Sequence, residues 1–177
     1  MVGGSEGFNG IIDDVRIYSR VLAGPEIAAL ADVRGAAVAS LLLSDRARLT
    51  GAGALTILGG QHLGAAPGAD ARIECPISAA SANFSILVPD TAALAIVGSV
   101  TGSGGIRKGG GGLLTLAGDN GWAGGLAVDA GTVVIGGGTQ AWTGGATVGS
   151  AGGSPAILRL TADEAIPDAA TVALVGA

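Results

Sequence analysis

The chain has 177 residues, of which 34 are glycine, 13% are charged and 3% are aromatic; nine basic and 14 acidic side chains leave a net charge of −5. Glycine without a three-residue period and only six prolines exclude collagen, and low charge with a mean hydropathy of +0.59 excludes an extended charged disordered chain. Scattered basic residues leave no electrostatic footprint for nucleic acid, the single cysteine excludes an internal disulfide, and no run of 18 apolar residues marks a transmembrane helix.

Residues 1–34 form a unit unlike the rest. The start, MVGGSEGFNG, lacks a basic segment followed by an apolar one, so no signal peptide is expected in this chain. Asn9–Gly10 reads as a turn, and the partial alternation over 11–18 reads as one strand. Pro25 and Glu26 open a short helix in which Ile27 and Leu30 share a face. Asp13 and Asp14 suggest a metal, but neighbouring strand positions point to opposite faces, so the two carboxylates do not converge on one ion. The segment Phe8-Asn9-Gly10, Ile12-Asp13-Asp14-Val15-Arg16-Ile17-Tyr18, Arg20, Leu22, Glu26-Ile27 and Leu30 resembles the closing stretch of laminin-G-like, concanavalin A-like jelly-roll domains. That resemblance covers about 25 residues of a fold needing roughly 150. It implies a truncated C-terminal end of such a domain, without its carbohydrate-binding loops.

From 35 to 106 the sequence predicts short strands between turns. AVASLLL at 37–43 and ALTIL at 54–58 are strand candidates, the second bracketed by Gly53 and Gly59–Gly60. Arg46 and Arg48 share one solvated face. The only histidine, His62, follows a glycine pair and reads as a turn or loop residue; it has no metal-binding companion at recognisable spacing. Cys75 alternates with charged residues and reads as a small buried hydrophobe on a strand. Two strands flank Pro89–Asp90, with Asp90 bonding its own turn. The run GSGGIRKGGGG at 102–112 lacks the Gly-Lys-Ser/Thr order and following helix of a phosphate loop, so its glycines read as corners.

From 107 onward a repeat is visible. Trp122-Ala-Gly-Gly-Leu-Ala-Val128 returns as Trp142-Thr-Gly-Gly-Ala-Thr-Val148, a period of 20. Such a period suits one coil of a solenoid, whose apolar face is buried only by stacking on its neighbours. The expected fold is all-β: a right-handed parallel β-helix over 35–177, preceded by a short strand-plus-helix remnant of a jelly roll. Leu114, Leu116, Val133 and Ile135 are expected to point inward in ladders, with Asn120 bonding nearby backbone at a turn. Trp122 and Trp142 occupy equivalent positions and are the candidates for stacking against carbohydrate; packing over the following Gly-Gly pairs is the structural alternative. Strands are expected at 156–161 and 171–175. Asp163, Glu164 and Asp168 lie between them without the ligand order of an EF-hand, which predicts an exposed turn.

Residues 98–136 resemble the autotransporter-associated β-strand repeat. In register are Gly102, Gly104, Gly105, Ile106, Lys108, Gly110, Gly112, Leu114, Thr115, Leu116, Gly118, Asn120, Gly124, Gly125, Val128, Ala130, Gly131, Thr132 and Val133. Trp122 stands where that repeat usually has tyrosine and Leu126 where it has threonine. The resemblance implies an extended passenger-type segment of a bacterial surface or secreted protein. It supplies no catalytic residues, metal or cofactor, and no membrane barrel follows in this chain. The expected function is a non-enzymatic stalk, spacer or adhesin scaffold at the cell surface, as part of a longer parent. A carbohydrate-binding module is the first alternative, and a polysaccharide lyase or hydrolase on a β-helix is the second. Expected partners are polysaccharide or other cell-surface components, and other copies through open solenoid ends.

Overall fold

The computed structural model describes residues 37–79, 83–150 and 154–176, with the side chains of 37–39 and 58–61 excepted. The strand and helix expected within 1–34, with Asp13 and Asp14, lie outside the described residues. The described chain is an all-β parallel β-solenoid, and it contains no helix.

The strands follow from short apolar alternations cut by glycine and Asn/Asp turns. In chain order they are β1 (Ala37–Leu43), β2 (Arg48–Leu49), β3 (Leu55–Ala65), β4 (Asp70–Ile73), β5 (Ile77–Ala79), β6 (Phe84–Leu87), β7 (Ala93–Ile96) and β8 (Val100–Gly102). There follow β9 (Ile106–Gly109), β10 (Leu113–Leu116), β11 (Asn120–Trp122), β12 (Leu126–Val128), β13 (Gly131–Ile135), β14 (Ala146–Val148), β15 (Ala156–Leu160) and β16 (Val172–Leu174). Every pairing between them is parallel.

The register resolves the strands into three stacked faces. Face 1 stacks the first part of β3, then β5, β8 and β11, and extends through the Asn120–Gln140 bridge. Face 2 stacks β1, the second part of β3, β6, β9, β12, β14 and β16. Face 3 stacks β2, β4, β7, β10, β13 and β15. Strand β3 turns the corner between faces 1 and 2, which joins both into one ten-stranded sheet. Successive coils lie about 4.8 Å apart, the spacing of hydrogen-bonded strands. The 20-residue repeat read from the tryptophans is one coil: Val100 donates its N–H to Asn120 twenty residues on. Earlier coils are longer; Gly68 reaches Thr91 across 23 residues.

Inward side chains form continuous columns. On face 3, Leu94, Leu114 and Val133 stack beside Ile96, Leu116 and Ile135. All six are buried, as the alternation in LLTL and TVVI predicts. Each such aliphatic side chain contributes roughly 1.5–3 kcal/mol on full burial. The core is narrow and aliphatic, so close coil packing matters more than bulk. A Cβ at Gly124 would come within 2.5 Å of the Gly105 backbone, and one at Gly144 as close to Gly124. These glycines are corners at which neighbouring coils touch.

Candidate functional site

Three polar arrangements stand out from the aliphatic core. The first is a buried corner on face 1. The Asn120 Oδ1 accepts the Val100 N–H at 3.1 Å, and its Nδ2 donates to Gly118 O at 2.8 Å and to Gln140 Oε1 at 3.2 Å. Gln140 Nε2 in turn donates to Gly137 O at 2.9 Å. Period-2 alternation turns Asn120 and Gln140 inward, and together they satisfy the backbone groups that the tight corner frees. Sequence reading placed Asn120 at a turn; it begins strand β11, and its bonds reach the backbone of two coils.

The second arrangement centres on Lys108. On face 2 it occupies the inward column between Ile86 and Val128, positions otherwise filled by aliphatic residues. Its stem is buried among them and its Nζ donates to the carbonyls of Gly110 and Ala130, the latter at 2.8 Å. The side chain thereby ties its own corner to that of the next coil. Burial pulls its pKa down to about 8, with the charge of Asp90 opposing the shift. Asp90 itself accepts the Gly111 N–H of the next coil, and so reaches beyond the turn it was expected to bond.

The third lies on the exterior of face 2. Ser85, Arg107, Ala127 and Thr147 follow one another in register and border a shallow groove of about 390 Å³ floored by Gly105 and Gly125. Arg107 donates through Nε to the Asp129 carboxylate. His62 continues the same row one coil before Ser85. It stands within β3, not in a turn or loop as expected, because the strand runs through Gly59–Gly60 around the corner. No described hydrogen bond orients its ring toward Ser85, so the row presents separate hydroxyl, imidazole and guanidinium groups.

The remaining residues singled out in the sequence are dispersed. Trp122 and Trp142 lie inside the solenoid at 1% and 0% exposure, with ring centroids 5.7 Å apart and planes 8° from parallel. They offer no exposed face to a sugar, and each ring covers the other, so the geometry is that of the packed alternative and not of the candidate carbohydrate platform. The reason is alternation: Trp122 shares the inward side of β11 with Asn120. Cys75 is buried as expected, but at the bend between β4 and β5 and not on a strand, and desolvation pushes its thiol pKa up. Arg48 and Arg72 both bond Glu74, at 2.5 and 2.8 Å, and hold its carboxyl below the ordinary range. Asp163, Glu164 and Asp168 occupy an exposed turn, Glu164 with φ of 54°. Among the described residues no three His, Cys, Asp or Glu side chains gather where they could hold a metal. The described residues form no helix, and so none that is long and apolar enough to cross a membrane. Lys108 and Gln140 were missed by sequence reading, although continuing the inward alternation from Ile106 points Lys108 into the core.

Comparison with protein-family models, with curated proteins and with solved structures finds no match.

Proposed function

We propose that this chain is a non-enzymatic structural segment, a stalk, spacer or adhesin scaffold of a secreted or surface-attached bacterial protein. The observation that carries this reading is where the polar side chains go. Asn120, Gln140 and Lys108, the buried polar residues of the described chain, all bond backbone at corners and none opens into a cleft. Their chemistry is spent on joining coil to coil. The likeness of 98–136 to the autotransporter-associated repeat supports the same reading, because its shared residues include corner glycines, inward leucines and the corner side chains Lys108 and Asn120. The likeness of 8–30 to the end of a laminin-G-like domain supports a reading in which the segment belongs to a longer extracellular parent.

The test is incubation of the purified chain with a panel of plant and bacterial polysaccharides, followed by reducing-end release and unsaturated-product absorbance. No turnover above buffer is expected. Turnover that disappears on substitution of a single carboxylate, such as Asp129→Asn beside the face 2 groove, would replace the scaffold with an enzyme.

A further inference from the structure

Asn120 and Gly121 form one of two Asn-Gly pairs in the chain; the other, Asn9–Gly10, lies outside the described residues. Asparagine before glycine is where an unfolded chain most readily closes a succinimide ring. The glycine nitrogen attacks the asparagine Cγ, and the missing Cβ leaves that approach open. In the solenoid each reacting atom is held elsewhere. Asn120 begins β11, and extended backbone keeps the Gly121 nitrogen turned away from Cγ. The carboxamide is anchored at both ends: Oδ1 accepts the Val100 N–H, and Nδ2 donates to Gly118 O and Gln140 Oε1. Gly121 is paired with Thr101 in the coil before, while the Asn120 N–H donates to Thr139 O and its carbonyl accepts the Ala141 N–H in the coil after. Asn120 is only 2% exposed, so water is kept from it as well. Ring closure therefore requires these coils to part.

We propose that Asn120–Gly121 is a latent deamidation site, which makes a parting of the coils around β11 permanent. When the corner opens, the Gly121 nitrogen loses its proton and bonds Cγ, the Cγ–Nδ2 bond breaks, and ammonia leaves. Water then adds to either carbonyl of the succinimide and gives aspartate or isoaspartate. No oxidant, metal or further reactant enters the balance. Neither product fits the closed corner. Aspartate sets a carboxylate oxygen where Nδ2 stood, against the two acceptors Gly118 O and Gln140 Oε1, in a place without water. Isoaspartate adds a methylene to the main chain of β11 and disturbs the alternation that turns Trp122 inward against Trp142. A corner that has opened and reacted does not close as before.

Peptide mapping by mass spectrometry, after incubation of the full chain at mildly alkaline pH, tests the proposal. Residue 120 is expected to convert at least about tenfold more slowly in the folded chain than in concentrated guanidinium, because reaction waits on opening. Asn83 supplies an internal comparison. It is exposed but followed by Phe84, whose bulk hinders the ring, so it is expected to lag behind Asn120 in guanidinium. Gly121→Ala adds a methyl that meets nothing within 4 Å; it is expected to keep the fold and to slow conversion in guanidinium severalfold. Asn120→Asp, which reproduces one product, is expected to melt below the wild type. Conversion as fast in the folded chain as in the unfolded one, no conversion in guanidinium, or an unchanged rate there in Gly121→Ala would each overturn the site. An Asn120→Asp chain that melts with the wild type would overturn the claim that the reacted corner cannot close.

Discussion

Trp122 and Trp142 stack face to face inside the solenoid, one coil apart, at 5.7 Å and 8°. The residue paired with Trp122 in the coil before is Gly102, so the pair follows a position with no side chain. Offset aromatic pairs of this kind contribute about 0.5–1.5 kcal/mol beyond their buried area. Trp142→Ala is expected to lower stability by about 3–5 kcal/mol, the range for large aromatic truncations. Neither Nε1 has a hydrogen-bond partner among the described residues, so Trp142→Phe is expected to cost much less: it keeps a ring and removes an unsatisfied buried donor. Urea denaturation followed by far-ultraviolet circular dichroism measures both. These are the only tryptophans, so blue-shifted native fluorescence that moves red in a single transition would report the same pair. Equal losses for the alanine and phenylalanine variants would contradict the assignment.

Lys108 makes stability depend on pH in a defined direction. Its pKa falls from an ordinary 10.5 to about 8 on folding, so between these values the unfolded chain binds more protons than the folded one. The cost of burying the charge is fully present below pH 8 and disappears as pH rises toward 10.5. Relative to Lys108→Met, the wild-type chain is therefore expected to gain stability between pH 8 and 10.5, by no more than about 3 kcal/mol. Paired denaturation curves at several pH values isolate this from other titrations. A difference that stays flat, or falls, across that window would show that the ammonium is not desolvated at its carbonyl corner.

Glu74 provides the opposite sign at the acid end. Arg48 and Arg72 donate to one of its oxygens, Oε1, and lower its pKa from 4.5. Its contribution is present above pH 4.5 and is lost as pH falls through the lowered folded value. Carboxyl-carbon NMR is expected to show Glu74 titrating below the ordinary 4.5 of a glutamate. Arg48→Ala, which removes the first and largest cause, is expected to move it back toward the ordinary value. High salt is expected to shrink the displacement, because all three groups are partly exposed.

The columns of face 3 were legible because LLTL and TVVI alternate cleanly between turns, and a period of two leaves one choice of inward face. The coil length was legible because two Trp-x-Gly-Gly units recur twenty residues apart. The direction of the tryptophans was not. An aromatic beside Gly-Gly favours a packed ring without excluding an exposed platform, and the neighbour that decides it, Gly102, comes from another coil. His62 was misplaced because Gly59–Gly60 looks like a stop. A strand bent around a solenoid corner accepts glycine there, since coils on either side supply its pairing. Lys108 was hidden by chemistry: an ammonium at an aliphatic position becomes tolerable only once carbonyls from two coils converge on it.

The corner glycines give a graded test of close coil approach. Gly102 has φ of 138°, and a Cβ added there would lie 2.0 Å from Ala79 O. Gly121 is only one residue from Trp122, yet a Cβ there would meet nothing within 4 Å, and its φ is not in the positive range. Two alanine substitutions in the same face thus differ in both strain and space. Gly102→Ala must move two coils apart or distort the backbone, and a loss of about 2 kcal/mol or more is expected. Gly121→Ala narrows the unfolded ensemble without a clash and is expected to be neutral or stabilising by up to about 1 kcal/mol. Thermal melts of the two variants beside the wild type decide the matter. If Gly121→Ala proves as damaging as Gly102→Ala, chain flexibility and not coil contact is what glycine supplies on this face, and the stacking register around β8 and β11 would have to be redrawn.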